Sequence, residues 1–211
     1  MSAASSLSVR ILDVEFAGAV ARPGGAAPAP LPQVAFAGRS NVGKSSLINR
    51  LLGRTRTSIA RVSAAPGKTR EINFFRVRAV REPGGAVEFF LVDLPGYGFA
   101  KVPLHVRASW RPLIERYLEG SPELRGVVQL IDARHDPTAD DRRMVEYLAA
   151  LGVPVLIAAT KIDKLGSSTR TARVRELADR LRVDLDQVVA FSARTGAGRD
   201  ELLAGLESLL A

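Results

Sequence analysis

The chain has no cysteine and only two histidines among its 211 residues. Disulfides and thiolate metal centres are thereby excluded, and little remains from which to build a zinc site. Any metal is expected to be held by oxygen ligands and to arrive with phosphate. No run approaches the roughly 18 apolar residues of a membrane span. The opening residues, Met1-Ser2-Ala3-Ala4-Ser5-Ser6, lack the basic start and apolar block of a signal peptide. A cytoplasmic protein with no membrane partner is expected. There is no internal repeat. What is present is ordinary globular material, 46% hydrophobic, of a length suited to one α/β domain with a full core.

Charge is the first departure from the ordinary. Lys plus Arg number 30 against 22 Asp plus Glu, a net of +8, and the isoelectric point lies near 10.5, which suits a polyanionic partner. The excess is concentrated. Arg54, Arg56, Arg61, Lys68, Arg70, Arg76, Arg78 and Arg81 stand against the single acid Glu71, a local net of +7. Such a segment serves either as a solvated surface or as an RNA contact, and charge alone does not choose between them.

Along the chain, Val9 to Phe16 reads as a short strand and Ala21 to Pro32, rich in Ala, Gly and Pro, as a connector. The folded core is expected to start near Gln33. Arg54 to Arg70 has no clean period and contains Pro66-Gly67, which predicts a long mobile loop. Ile72 to Val80 and Ala86 to Val92, joined by Glu82-Pro83-Gly84-Gly85, predict an antiparallel hairpin. Helices over Leu104–Leu118, Ala139–Leu151, Thr169–Leu181 and Asp200–Leu210 then alternate with strands Gly126–Ile131, Val153–Ala159 and Val188–Phe191. The Ala139–Leu151 helix sets Met144, Val145, Leu148 and Leu151 on one face. Alternation of this kind implies a mostly parallel sheet covered on both sides.

The most specific feature is Gly38-Arg39-Ser40-Asn41-Val42-Gly43-Lys44-Ser45, which follows the apolar run Val34-Ala35-Phe36-Ala37 and opens a helical pattern. This is a P-loop in its proper context. Its glycines let successive backbone N–H groups turn toward phosphate oxygens, Lys44 reaches the β- and γ-phosphates, and the Ser45 hydroxyl can ligate Mg²⁺. Asp93-Leu94-Pro95-Gly96 closes a buried strand, where ligands collect in open α/β sheets. Asp93 is placed to hold the Mg²⁺ hydration shell and the Gly96 N–H to meet the γ-phosphate. Thr160-Lys161-Ile162-Asp163 selects the base. The Asp163 carboxylate accepts from guanine N1–H and the 2-amino group, whereas adenine would leave it unpaired, a logic worth about 10⁴ to 10⁵ in discrimination. An ATPase is disfavoured on that ground. Lys161 would pack along the base plane, and in Phe191-Ser192-Ala193 the Ala193 N–H would donate to guanine O6. A loop threonine, Thr69, is the expected second hydroxyl on Mg²⁺, ahead of Thr55, Thr57 and Ser63.

Together these segments resemble the translation-factor-related GTPases of the TrmE-Era-EngA-EngB-Septin-like superfamily, and in detail the EngB (YihA/YsxC) family of ribosome-biogenesis GTP-binding proteins. The likeness covers the chain from about Leu31 onward. It rests on Gly38 to Ser46, Pro66 to Thr69 with Ile72-Asn73-Phe74-Phe75, Asp93 to Lys101 with Trp110, Asp132 to Pro137, and Thr160 to Asp163.

The resemblance implies a G domain over residues 33–211, with a mostly parallel six-stranded sheet, one antiparallel strand and helices on both faces, preceded by an N-terminal strand and connector over 1–32. It implies GTP or GDP with Mg²⁺, with hydrolysis accelerated by ribosomal RNA, by protein, or by K⁺ held near Asn41, a residue that otherwise only stabilises its loop. Around the nucleotide it places the P-loop residues, Gly67, Lys68, Thr69, Arg70, Glu71, Asp93, Leu94, Pro95, Gly96, Thr160, Lys161, Ile162, Asp163, Phe191, Ser192 and Ala193. Lys44, Thr69 and Gly96 then carry catalysis, with Ser45 and Thr69 on the metal.

The implied partner is the large ribosomal subunit or its precursor, through rRNA and ribosomal proteins, in late assembly, with a link to cell division and septation. The protein itself is expected to be a monomer. Two departures follow. Ala65 stands where the family usually has Thr before Pro-Gly, and Thr160 replaces the Asn common in other GTPases, removing an amide able to brace the P-loop, so modest nucleotide affinity is expected. After Gly96 stands Tyr97, where Ras-like enzymes carry a water-orienting glutamine, so a slow basal rate is expected. The alternative is a nucleotide-dependent RNA-binding module whose hydrolysis is incidental. Arg134 and His135 serve either a partner surface or the bracing of the sheet.

Overall fold

Gln33–Gly38 is buried at every position, as a strand covered on both faces must be. It lies at the centre of the sheet. The computed structural model describes residues 8–54, 59–60, 71–82, 84–97 and 104–211. In chain order the elements are β1 (Ser8–Val20), β2 (Gln33–Gly38), α1 (Lys44–Leu51), β3 (Ile72–Glu82), β4 (Gly85–Asp93), α2 (Leu104–Gly120) and β5 (Leu124–Asp132). There follow α3 (Ala139–Ala150), β6 (Val155–Thr160), α4 (Ser167–Leu181), β7 (Val188–Ala190) and α5 (Arg199–Leu210), with 3₁₀ turns at Ile162–Lys164 and Leu185–Gln187.

The strands form one sheet in the order β1-β3-β4-β2-β5-β6-β7. β3 is antiparallel to both β1 and β4, while β4, β2, β5, β6 and β7 are parallel. The sheet therefore has seven strands rather than six. The seventh is β1, which runs on to Val20 and pairs along the whole of β3 through two register shifts. On one face Phe36 and Phe191 pack with Leu47, Ile48 and Leu51 of α1 and Leu202 of α5. On the other Phe74 and Phe90 pack with Leu113 and Leu118 of α2 and Leu148 of α3. There Phe74 meets Phe90 edge-on at a centroid separation of 5.6 Å.

Helix boundaries follow local chemistry. Thr138 accepts from the Asp141 N–H while the Asp141 side chain accepts back from the Thr138 N–H, a capping box with Asp140 and Asp141 at the positive end of α3. α3 ends at Ala150, so Leu151 leaves the apolar face on which it was expected and is exposed. Most of the predicted loop Arg54–Arg70 lies outside the described residues. Within it, Ile59 and Ala60 are pinned: both N–H groups donate to Asn49 Oδ1 at 3.0 Å, and Asn49 Nδ2 donates to the Ala60 carbonyl at 2.9 Å.

The basic run is partly neutralised in space. Arg54 pairs with Asp13, Arg76 with Glu15 and Glu88, Arg78 with Glu88, and Arg81 with Glu207. These acids are distant in sequence. Among the described residues no helix is long and apolar enough to cross a membrane.

α5 enters through Gly198 at φ +77°, where a Cβ would lie 1.9 Å from the Ala190 carbonyl oxygen. Left-handed backbone and a backbone clash coincide there, so Gly198→Ala is expected to cost about 2–4 kcal/mol. An unchanged urea midpoint would refute this.

Candidate functional site

Parallel strands bring their carboxyl ends to one edge, and the loops that leave them meet there. Gly38 ends β2, Asp93 ends β4, Asp132 ends β5, Thr160 ends β6 and Phe191 follows β7. The loop from Gly38 to Lys44 is curled by two residues in the left-handed region, Asn41 at φ +64° and Gly43 at φ +105°. Gly43 is also the N-cap of α1 and no side chain caps that helix, so its first amides are available to an anion. Lys44 Nζ forms an ion pair with Asp93 Oδ1, which joins the P-loop to the end of β4. Gly96 passes close by: a Cβ there would lie 2.8 Å from Ser40 Oγ and 3.3 Å from Ser40 N, so any side chain at this turn would force Ser40 to shift.

The far end of the site is built on β6 and β7. Thr160 Oγ1 donates to the Val42 carbonyl at 2.8 Å, so the brace expected to be lost with asparagine is supplied by a hydroxyl. Lys161 adopts φ +60° and sends Nζ to the Asn41 carbonyl at 2.7 Å and Asp132 Oδ2 at 2.9 Å. Arg134 grips the same carboxylate with both Nε and Nη2, at 2.9 and 2.8 Å. Burial pushes the Asp132 pKa up, but the Arg134 and Lys161 hydrogen bonds outweigh it and hold the group well below the usual carboxylate range. Arg134 thus braces the site.

Asp163 Oδ1 accepts from Ser192 Oγ at 2.7 Å and Oδ2 from Arg194 Nε at 2.9 Å. The Ser192 hydrogen bond, with Arg194, lowers its pKa against desolvation. A cavity of about 330 Å³ opens between Gly43 and Ser46 on one side and Lys161, Asp163, Ala193 and Arg194 on the other.

The Tyr97 side chain is engaged by β5 and α3. Its hydroxyl donates to Asp141 Oδ1 at 3.0 Å and accepts from Gln129 Nε2, two groups that are themselves buried. Burial, then the Asp141 carboxylate, pushes the phenol well above its ordinary pKa. Its backbone is tied to the P-loop, Tyr97 N–H to the Gly38 carbonyl at 3.3 Å and Ser40 N–H to the Tyr97 carbonyl at 3.1 Å. The residue is an anchor.

Comparison with known proteins settles the family. Residues 33–161 match the family described as 50S ribosome-binding GTPase. The probable GTP-binding protein EngB of Gemmatimonas aurantiaca is 58% identical over 181 residues, 86% of this chain and 84% of that protein. The chain belongs to the EngB family. It is accordingly a GTPase that binds guanine nucleotide. A solved structure of a probable EngB superposes with a TM-score of 0.65 over 84% of this chain and 98% of its own, at 24% identity, a likeness of fold. Era in complex with MgGDPNP and nucleotides 1506–1542 of 16S ribosomal RNA is 28% identical, with a TM-score of 0.64 over 85% of this chain and 57% of that one.

In this EngB-family chain the residues from Gly38 to Ser45, with Asp93 to Gly96, Thr160 to Asp163 and Phe191 to Ala193, all come to one edge. Glu71 is exposed just ahead of β3, whose Asn73 pairs with Asp93, so it reaches the same edge. Gly67, Lys68, Thr69 and Arg70 lie outside the described residues. Reasoning from sequence missed the roles of Asp132, Gln129, Asp141 and Arg194, and of Arg50, which holds the Ala193 and Arg194 carbonyls. Of these, Asp132 alone lies in a segment that the sequence singles out, Asp132 to Pro137.

Two outcomes are expected. Thr160→Val removes one buried hydrogen bond to the P-loop and should weaken GDP binding about fivefold, for about 1 kcal/mol; calorimetry showing equal affinity would count against the brace. Asp132 has a folded pKa below its unfolded value, so its contribution to stability is complete above the unfolded range, near pH 4, and is lost as pH falls toward the folded value. The stability gap between the wild type and Asp132→Asn should be flat above about pH 5 and close below pH 4; a gap independent of pH would refute it.

Proposed function

We propose that the protein is a slow, cytoplasmic GTPase switch in late assembly of the large ribosomal subunit, with consequences for cell division and septation. The observation that carries the nucleotide half is the position of Asp163, beside a cavity at the same edge as the phosphate loop. In this reading Asp163 accepts from guanine N1–H and the 2-amino group, Lys161 lies along the base, and the Ala193 N–H meets O6. The α1 amides and Lys44 hold the phosphates, and the Gly96 N–H meets the γ-phosphate.

Magnesium prefers hard oxygen ligands and phosphate. The Ser45 hydroxyl at the start of α1 and the Asp93 carboxylate, held at the P-loop by Lys44, fit that demand, and Thr69 is the proposed second hydroxyl. When bound, the ion neutralises charge on the phosphate oxygens. Water attacks the γ-phosphorus, its new P–O bond forming as the bond to the β–γ bridging oxygen breaks, and GDP leaves. Lys44 and the loop amides stabilise the charge that develops.

Slowness follows from Tyr97. Its hydroxyl is committed to Asp141 and Gln129, so it orients no water. Acceleration is assigned to the ribosomal partner or to K⁺ near Asn41. The same observation favours the second reading, an RNA-binding module with incidental hydrolysis. Support for a ribosomal partner comes from the family's description, from the RNA bound by Era, and from Arg56, Arg61, Lys68 and Arg70, the part of the basic run ahead of β3.

Large ribosomal subunits should co-sediment with the protein in a GTP analogue more than in GDP, with log affinity falling steeply against log salt. Binding indifferent to both would overturn the switch. ATP should fail to displace labelled GDP, and single-turnover hydrolysis should rise on adding subunits. A rate unmoved by subunits would leave the module reading, and equal rates in K⁺ and Na⁺ would remove the cation.

A further inference from the structure

The carboxylate assigned to base reading already has both oxygens engaged, by two partners of different character. Ser192, on Oδ1, is fully buried and its hydroxyl also accepts the Thr195 N–H at 3.1 Å. It belongs to the framework. Arg194, on Oδ2, has a side chain 68% exposed, against 8% for the carboxylate that it covers. An arginine that reaches from solvent onto a nearly buried carboxylate covers the approach to it.

What covers it resembles what should bind there. A guanidinium is a planar, delocalised unit carrying adjacent coplanar N–H donors. The edge of guanine formed by N1–H and the 2-amino group is the same kind of donor array, without the full positive charge. Both address a carboxylate through its oxygen lone pairs, and two donors from the base need both oxygens. Buried Ser192 leaves Oδ1 a lone pair for the base, whereas the exposed Arg194 side chain lies over Oδ2 on the solvent side, from which the base must arrive, so Arg194 and the base compete there.

The backbone of Arg194 cannot retreat to end that competition. Arg50 donates from Nε to the Ala193 carbonyl at 2.6 Å and from Nη2 to the Arg194 carbonyl at 2.8 Å. On the other side Gly196 N–H donates to the Ser192 carbonyl at 2.8 Å. Only the side chain is free to move, and it has solvent to move into.

We infer that Arg194 is a gate on the base site, a guanidinium that holds the guanine-reading oxygen of Asp163 and is displaced when a guanine edge arrives. The inference rests on Asp163 reading guanine. It requires guanine to replace one ion pair before it gains its own hydrogen bonds, which lowers affinity without touching the phosphate contacts. It also sets a direction opposite to that of simple electrostatics. Removing a cation near a polyphosphate ligand should weaken binding, whereas removing a competitor should strengthen it.

The test is a calorimetric or fluorescence titration of the wild type, Arg194→Ala and Arg194→Lys with GDP and ADP, at low and at high salt. Arg194→Ala is expected to bind GDP about two- to fivefold more tightly, the range that an exposed ion pair supports. Arg194→Lys, which lacks the planar fork, should fall between. The gap should shrink as salt screens the exposed pair. Unchanged or weaker GDP binding by Arg194→Ala, with the wild type still preferring GDP to ADP, overturns the gate alone. A wild type with no preference for GDP overturns the base reading, and the gate with it.

Discussion

A loop that turns its N–H groups inward must turn carbonyls outward, and those carbonyls need partners of their own. Here the partners come from the end of β6. Thr160 takes the Val42 carbonyl through its hydroxyl and Lys161 takes the Asn41 carbonyl through its ammonium. The segment that would read the base is therefore the scaffold of the segment that would hold the phosphates. Neither can shift alone. Lys161 is in turn held by Asp132, itself doubly gripped by Arg134, so the ends of β2, β5 and β6 are joined in one hydrogen-bonded network.

The turn after β4 obeys a second constraint. Asp93 is held by Lys44 at the mouth of the P-loop, and four residues later Tyr97 is locked under it by Gln129 and Asp141. Asp141 also caps α3 through Thr138. Contacts at the start of α3 and in the turn that would face a γ-phosphate thus share one carboxylate. A chain pinned at both ends over so short a span has few ways to present the Gly96 amide, which favours positioning over side-chain chemistry at this place.

Much of this was legible because it is local. Glycine spacing between an apolar run and a helical pattern marked the phosphate loop, and turn residues after buried strands marked Asp93 and Asp163. What escaped depends on long-range pairing. The partner of Thr160 lies 118 residues away, and the partner of Arg50 more than 140, so no window along the chain contains them. The basic run looked bare for the same reason: Asp13, Glu15, Glu88 and Glu207, which neutralise half of it, arrive by sheet pairing and by the packing of α5. β1 was seen as a strand, but nothing local to Val9–Phe16 says that it joins the edge of β3.

Asn49 has a consequence for how much chain a bound nucleotide could rearrange. By fastening Ile59 and Ala60 to α1, it fixes one point on the connection between α1 and β3. Asn49 lies on α1, which follows the P-loop directly, so a shift of the phosphate loop that moved α1 would carry Ile59 and Ala60 with it.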